Sequence, residues 1–340
     1  MTLLRTAVLA AAAAVLAVGA LRAHAAAPGA PAAAASAPAA ELGRITPRAV
    51  TAPTPSAQHA LLLALARAGG RVVAVGERGT VLAGDARGDT LAQAASVPVD
   101  ATLTAVHFVD AERGWAVGHW GAILATADGG RTWKQQRLDL AHDRPLFAVH
   151  FLDAQHGVAV GLWSLVLVTE DGGATWQERK LDVPPGAKKA DLNLLGLFAD
   201  AAGHLYATGE RGLVLRSDDR GQTWRYLATG YRGSLWCGTA LADGTLIVGG
   251  QRGSMWRSDD GGTRWTAVAS GGKSSITSIA ADGSRVAAVG LDGYAAFSDD
   301  GGRRFEARPR EDRLTLTAVV ADGNGAWLVA SRNGWLRLRP

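Results

Sequence analysis

One cysteine, Cys237, is the only thiol in 340 residues. No intramolecular disulfide can form, so packing must hold the fold, and a Cys-X-X-Cys redox or zinc motif is excluded. Cys237 follows Trp236 in an apolar stretch and reads as a small buried side chain. Charge is scarce too: 35 Lys and Arg against 31 Asp and Glu leave a formal +4, too little to indicate a nucleic-acid binder. GxSxG, P-loop and HExxH motifs are absent, and the eight histidines show no metal-ligand spacing. Neither a cofactor nor a metal is expected. Beyond the N-terminus, no segment of ten or more residues carries a helical apolar stripe, which leaves strands as the regular element.

The single long apolar run stands at the start. MTLLR is basic, AVLAAAAAVLAVGAL is apolar, and Ala23-His24-Ala25 is a small-x-small cleavage site. This is the pattern of a secretory signal peptide over residues 1–25; as a retained anchor the run falls short of the ~20 residues that span a bilayer. No cysteine lies near the cleavage site, so no lipid anchor is expected. Without Arg5 and Arg22 the balance becomes 33 basic against 31 acidic residues. AAPGAPAAAASAPAA then reads as a flexible spacer over 26–40, and the folded domain is expected over 41–340. The implied location is periplasmic, or lumen-like in a photosynthetic host.

What the chain does contain is repetition. VVAVGERG, WAVGHWG, VAVGLWS, YATGERG, IVGGQRG, AAVGLDG and LVASRNG mark Gly76, Gly118, Gly161, Gly209, Gly250, Gly290 and Ser331, spaced by 42, 43, 48, 41, 40 and 41 residues. Each unit holds four short β-competent stretches separated by Gly, Asp or Asn, the sign of hairpins. Four antiparallel strands recurring every 40–45 residues specify a β-propeller blade, and seven copies a seven-bladed all-β ring; a solenoid would have fewer and often parallel strands per repeat. The seventh copy stops after its third strand. GRITPRAVT, residues 43–51, has no partner in the first unit and is expected to supply that missing fourth strand and close the ring. Pro47 is tolerable on an outer strand.

Behind each third strand comes an acidic turn and an aromatic: Asp128 and Trp133, Asp171 and Trp176, Asp219 and Trp224, Asp260 and Trp265, Asp300 and Phe305. This is the Asp-box. Its carboxylate is expected to accept backbone N–H bonds in the turn and its aromatic to pack between blades. One residue type recurring in five blades is scaffolding rather than catalysis. The first unit keeps Gly88, Thr90 and Leu91 in register but displaces its aspartate. His107 and His150 recur in AVHF at equivalent positions and are read as structural for the same reason.

The 2–3 turns then share the opposite face with the connections between blades. Inside them lie Glu77-Arg78, His119-Trp120, Leu162-Trp163, Glu210-Arg211, Gln251-Arg252, Leu291-Asp292 and Arg332-Asn333. The connections add Arg144, Lys188, Lys189, Arg232, Lys273, Arg310 and Arg313, offset by Asp143, Asp182, Asp191, Glu311 and Asp312. Arg and Trp are the usual anchors of binding surfaces, so Arg78, Trp120, Trp163, Arg211, Arg252, Arg332, Lys188 and Lys189 are the candidate partner-binding residues. The bland alternative pairs each arginine with a local acid, as Arg78 with Glu77.

Seven units, "AVGERG", "SDDGGxxW" and the export signal together resemble the photosystem II stability/assembly factor-like family of seven-bladed propellers, over nearly all of the mature chain. The resemblance implies a non-catalytic assembly factor with a basic, arginine-rich patch that binds a membrane-protein precursor; the arginine-bearing turns matching it are those of Arg78, Arg211, Arg252 and Arg332. The expected partner is a protein, either a membrane protein or an envelope complex, with peripheral membrane association compatible, no nucleic acid, and a monomeric chain. The competing class is an Asp-box glycosidase. Sialidases begin near an R-I-P motif, which Arg44-Ile45-Thr46-Pro47 only distorts, and have six blades. Seven-bladed glycosidases need two carboxylates about 5–10 Å apart, whereas Glu77 and Glu210 fall on blades 1 and 4 and Asp292 lies two blades from Glu77. No catalytic residue is assigned.

Overall fold

Short apolar stretches closed by glycine-rich turns fold as antiparallel strands, and the chain forms seven such sheets in a computed structural model that describes residues 59–85 and 90–340. Blade 2 shows the plan from centre to rim: Leu103–Phe108, Gly114–Gly118, Ile123–Thr126 and Lys134–Arg137. Six sheets have four strands; the seventh has three among the described residues, Leu316–Ala321, Trp327–Ser331 and Gly334–Leu338. The signal peptide, the spacer, the closing segment 43–51 and the first unit's Gly88 lie outside the described residues. The second strand of blade 2 is buried at all five positions, so it reads as a continuous apolar run. The rim strand Lys134–Arg137 is exposed or half-buried and correspondingly polar. Among the described residues no helix is long and apolar enough to cross a membrane.

The core lies between blades rather than within them. Val73, Val75 and Ala83 of blade 1 pack on Val106, Ala116 and Leu124 of blade 2. The same kind of cluster fills the seam between blades 7 and 1, where Leu62, Val72 and Leu82 meet Ala318, Leu328 and Ala330. Hydrogen bonds fasten that seam: the Thr317 hydroxyl donates to Leu62 O at 2.6 Å, Arg67 Nη1 to Ala321 O at 2.8 Å, and the Gly334 amide to Ala60 O at 3.0 Å. Among the described residues, blades 7 and 1 are thus joined directly across this seam.

Each inner strand carries a one-residue register shift just after its first pair, at Leu63, Thr104, Phe147, Leu195, Trp236, Thr277 and Thr317. Such bulges sharpen the local twist. Where the bulged residue is threonine, its hydroxyl reaches the next blade: Thr104 donates to Leu146 O at 2.6 Å and Thr277 to Leu316 O at 2.8 Å. The inner strands surround a channel of about 290 Å³.

Both glycines of the GxxG turn have definite reasons. The first is extended, and a Cβ on it would strike the preceding connection: 2.0 Å from Leu61 O at Gly76, 2.1 Å from Thr102 O at Gly118, 2.1 Å from Ser275 O at Gly290. The second adopts a left-handed φ, +65° at Gly79 and +70° at Gly212 and Gly253, which glycine reaches without a Cβ clash.

Candidate partner-binding face

The Asp-boxes form one face, as expected. Asp128 Oδ1 accepts from the Arg131 and Thr132 amides, both at 2.9 Å, and from the Thr126 hydroxyl at 2.8 Å; Oδ2 accepts from the Thr132 hydroxyl at 2.6 Å. Thr126 Oγ1 in turn accepts from the Gly130 amide at 3.0 Å, and the Gly129 amide donates to Glu112 O of the neighbouring 1–2 turn at 2.9 Å. Asp171, Asp219, Asp260 and Asp300 repeat the arrangement. The Thr175 hydroxyl and amide hold the Asp171 carboxyl down to about 2, and the Arg264 amide and guanidinium do the same to Asp260. The aromatics pack between blades: Trp133 in the 1–2 cluster edge-on to Phe108, Trp176 beside Phe151, Trp224 in the 3–4 cluster, Trp265 in the 4–5 cluster and Phe305 in the 5–6 cluster. The strand 1–2 turns, on the same face, carry aspartate caps that the repeat pattern did not isolate. Asp110 accepts from the Glu112 and Arg113 amides, and Asp153 from those of Gln155 and His156.

The opposite face is built from the 2–3 turns, each docked on a blade connection: the Gly79 amide donates to Ala101 O at 2.9 Å and the Ser164 amide to Leu192 O at 2.8 Å. In six turns the second variable residue is left-handed although it is not glycine: Arg78, Trp120, Trp163, Arg211, Arg252 and Asp292, with φ between 52° and 60°. That conformation costs an L-residue about 1 kcal/mol or more. Groups from the connections hold several of these backbones: Asp143 Oδ1 takes the Trp120 amide at 3.3 Å, Asn193 Oδ1 the Trp163 amide at 3.0 Å, and Ser275 Oγ the Arg252 amide at 3.1 Å. The backbone is fixed by its neighbours while the side chain points outward. Arg78, Arg211 and Arg252 are exposed and make no ion pair among the described residues.

The acids next to these arginines do not neutralise them. Glu77 Oε1 accepts the Leu61 amide at 3.2 Å, and Glu210 accepts the Asn193 amide at 3.0 Å and its Nδ2 at 3.3 Å. Both acids brace the preceding connection instead of pairing with Arg78 or Arg211. Other cations of the face are neutralised: Arg144 pairs with Glu178 at 2.9 Å, Arg310 bonds Asp312 at 3.0 Å, and Arg313 lies 3.9 Å from Asp292. Arg232, Lys188, Lys189 and Lys273 are exposed without an ion pair among the described residues.

Two candidates fall in different settings from their companions. Trp120 is half-buried and packs against the core between blades 1 and 2, whereas Trp163 is 61% exposed. Arg332 occupies the first variable position of a differently shaped turn, in which only Gly334 has positive φ; it is exposed but one residue out of register with the other three arginines. Sequence reasoning missed Leu140 and Val183, each 50% exposed on connections of this face. A large apolar residue inside an otherwise polar loop was the signal available.

His107 and His150 stand in the channel wall with ring centroids 4.2 Å apart, and His107 Nδ1 accepts the Phe151 amide at 3.2 Å. Burial pushes both well below the ordinary histidine range, His150 to about 4, so both are neutral at pH 7. The equivalent residue of blade 4 is Phe198, itself buried. Among the described residues no cluster of His, Cys, Asp and Glu could hold a metal ion. Burial also pushes the Cys237 thiol far up, so no thiolate is available there at neutral pH.

Fold and site together define an Asp-box propeller of seven blades whose acidic turns are held by their own hydrogen bonds and whose turn face displays arginines without an ion pair among the described residues. The family model for the photosynthesis system II assembly factor YCF48 matches residues 86–147 and 136–337, and the chain belongs to that family. Among solved structures, YCF48 bound to D1 peptide shares 19% identity at a TM-score of 0.67, covering 86% of this chain and 96% of that one. YCF48 from Cyanidioschyzon merolae shares 20% identity at a TM-score of 0.67, covering 85% and 98%. A comparison with curated proteins found no match.

Proposed function

We propose that the chain is an exported, non-catalytic assembly factor that captures a segment of a membrane protein on its turn face, with Arg78, Arg211 and Arg252 as anchors and Trp163, Arg332, Lys188 and Lys189 beside them. The observation that carries this reading is the set of large side chains held in left-handed turns. Glycine would relieve the strain at each position, yet arginine or tryptophan stands at five of the six. Among the described residues these arginines have no acid partner, so their fork of five donors is available for carboxylates or backbone carbonyls of a partner. The family's assembly-factor designation and the D1 peptide held by its relative point to the same kind of client.

The test separates binding from folding. Arg78→Gly, Arg211→Gly and Arg252→Gly together should leave the protein folded, since each removes a strained φ, while weakening capture of solvent-facing segments of the host's membrane proteins presented as a peptide array. Three exposed arginine anchors lost at about 1–2 kcal/mol each correspond to a 10²-fold or larger drop in affinity. Equal binding by the triple variant would refute the assignment.

A further inference from the structure

We infer that the sector of the turn face around blade 3 is a lipid contact, seating Leu140, Trp163 and Val183 in the interfacial region of an anionic bilayer. This goes beyond capture of a protein client: the occupant is lipid, Leu140 and Val183 take no part in that reading, and Trp163, Lys188 and Lys189, placed above beside the arginine anchors, are assigned here to the bilayer instead.

Leu140, Trp163 and Val183 are the only large hydrophobic side chains at least half exposed among the described residues. They come from three separate loops of one face: the connection from blade 2 to 3, the turn of blade 3, and the connection from blade 3 to 4. Every one of these loops is braced so that its apolar residue stands out. Asp139 accepts the His142 amide at 3.1 Å and the Arg137 guanidinium at 3.2 Å, fixing the tip that bears Leu140. Trp163 and Ser164 are both left-handed, at φ 55° and 57°, and Ser164 Oγ donates to Leu192 O at 3.1 Å. The loop of Val183 is pinned by Tyr226, whose hydroxyl donates to Asp182 O at 2.7 Å, by buried Pro184, and by the Ala187 amide donating to Pro184 O at 3.0 Å. The exposure is built into ordered loops.

The shape and the charges decide between a bilayer and a protein surface. Apolar tips on separate loops project outward and do not wall a groove, and a fluid interface accommodates separate protrusions where a rigid partner would need matching pockets. Tryptophan with short aliphatic neighbours and flanking basic residues is the composition that settles at the headgroup boundary. The cations of the Val183 loop without an ion pair among the described residues are Lys180, Lys188 and Lys189, against exposed Asp182 and Asp191 on the same loop, while the nearby Arg144 and Arg179 are held by Glu178 and by Gln222 and Gln177. Lysine is depleted from protein interfaces and arginine enriched, whereas a hydrated ammonium suits anionic headgroups. The arginine sector on blades 4 and 5 has the opposite composition.

The full chain is tested with Cys237→Ser, a change for which Ser278 at the equivalent position of blade 6 is the precedent, together with Val183→Cys carrying an environment-sensitive fluorophore. A second protein carries the label at Thr263→Cys on the Asp-box face. Vesicles of phosphatidylcholine, with and without phosphatidylglycerol, are titrated in. The expected result is a blue shift and severalfold brightening at residue 183 on phosphatidylglycerol-containing vesicles, with residue 263 unchanged. Lys188→Gln with Lys189→Gln should weaken that partition by roughly 30-fold, the loss expected for two basic residues at a charged surface. A label at 183 that stays in water on both vesicles, as it would if residues 1–25 alone carried the chain to the bilayer, overturns the assignment and gives this sector to a protein. Equal shifts at 183 and 263 would overturn it as well, since no single face would then be seated.

Discussion

The two arginines of "AVGERG" and "ATGERG" and their counterpart in "GGQRG" show how a single backbone angle separates structure from function. At φ near +55° an L-residue is strained and glycine is not. Arg252→Gly alone should therefore raise the unfolding free energy by about 0.5–1 kcal/mol in urea titration, even though a contact-free arginine is removed. A fall in stability would mean that Arg252 has an intramolecular role. Aspartates at the other rim behave in the reverse way. Asp171→Ala strips the Thr175 amide and hydroxyl and the Thr169 hydroxyl of their acceptor, and losing these bonds should lower the unfolding midpoint in the same urea titration.

Titration adds a signature to these residues. The Asp171 and Asp260 carboxyls are depressed to about 2 in the folded state, so their contribution is complete above the unfolded value near 4 and lost as pH falls through 2. His150 is depressed to about 4; its neutral form is favoured by folding, so stability is complete above about 6.5 and lost as pH falls through 4. Acid unfolding should thus have an upper limb from histidine and a lower one from the Asp-boxes. His150→Phe, for which Phe198 at the equivalent position of blade 4 is the precedent, should flatten the upper limb in stability measured against pH; an unchanged limb would assign it to other groups.

At the scale of the element, the blade plan was legible because it repeats: seven glycine-marked turns and five acidic turns locate strands, hairpins and ring size from residue order alone. The function of individual turn residues was not legible, because it depends on what crosses to a neighbouring segment. Glu77 looked like a local partner for Arg78, but the Leu61 amide, sixteen residues away, takes its carboxylate. Trp120 and Trp163 looked equivalent, but one lies on the core between blades 1 and 2 and the other in solvent. Arg332 looked aligned with three other arginines, yet Ser331 replaces glycine in a turn of another shape. The first glycine of the other six turns is also an element-scale feature, since its lack of Cβ lets turn and connection touch. Gly118→Ala would place a Cβ 2.1 Å from Thr102 O. It should destabilise by about 1–3 kcal/mol, as overpacking does, in chemical denaturation; tolerance of alanine would show that the connection can retreat.

For the whole molecule, the division of labour follows from how a propeller distributes its turns. Short hairpin turns and Asp-boxes occupy one rim, where carboxylates are consumed by their own amides. Longer connections and strained 2–3 turns occupy the other, where side chains are left for a partner. Membership of the YCF48 family agrees with a protein-binding role, and the lipid contact proposed for the blade 3 sector would lie on the same face as the proposed arginine anchors. Affinity for a membrane-protein client would benefit from both, because a propeller already at the bilayer surface meets a tethered segment at high effective concentration.

The decisive measurement is photo-crosslinking from two rims of the same protein in its native envelope, with a photoreactive residue at position 252 on the turn face and at position 263 on the Asp-box face. Crosslinks to a membrane protein from 252 and none from 263, abolished when Arg78 and Arg211 are changed to glycine, are the expected result. Crosslinks from 263 alone, or crosslinks from 252 that persist undiminished in the glycine variant, would contradict partner capture by the strained-turn arginines.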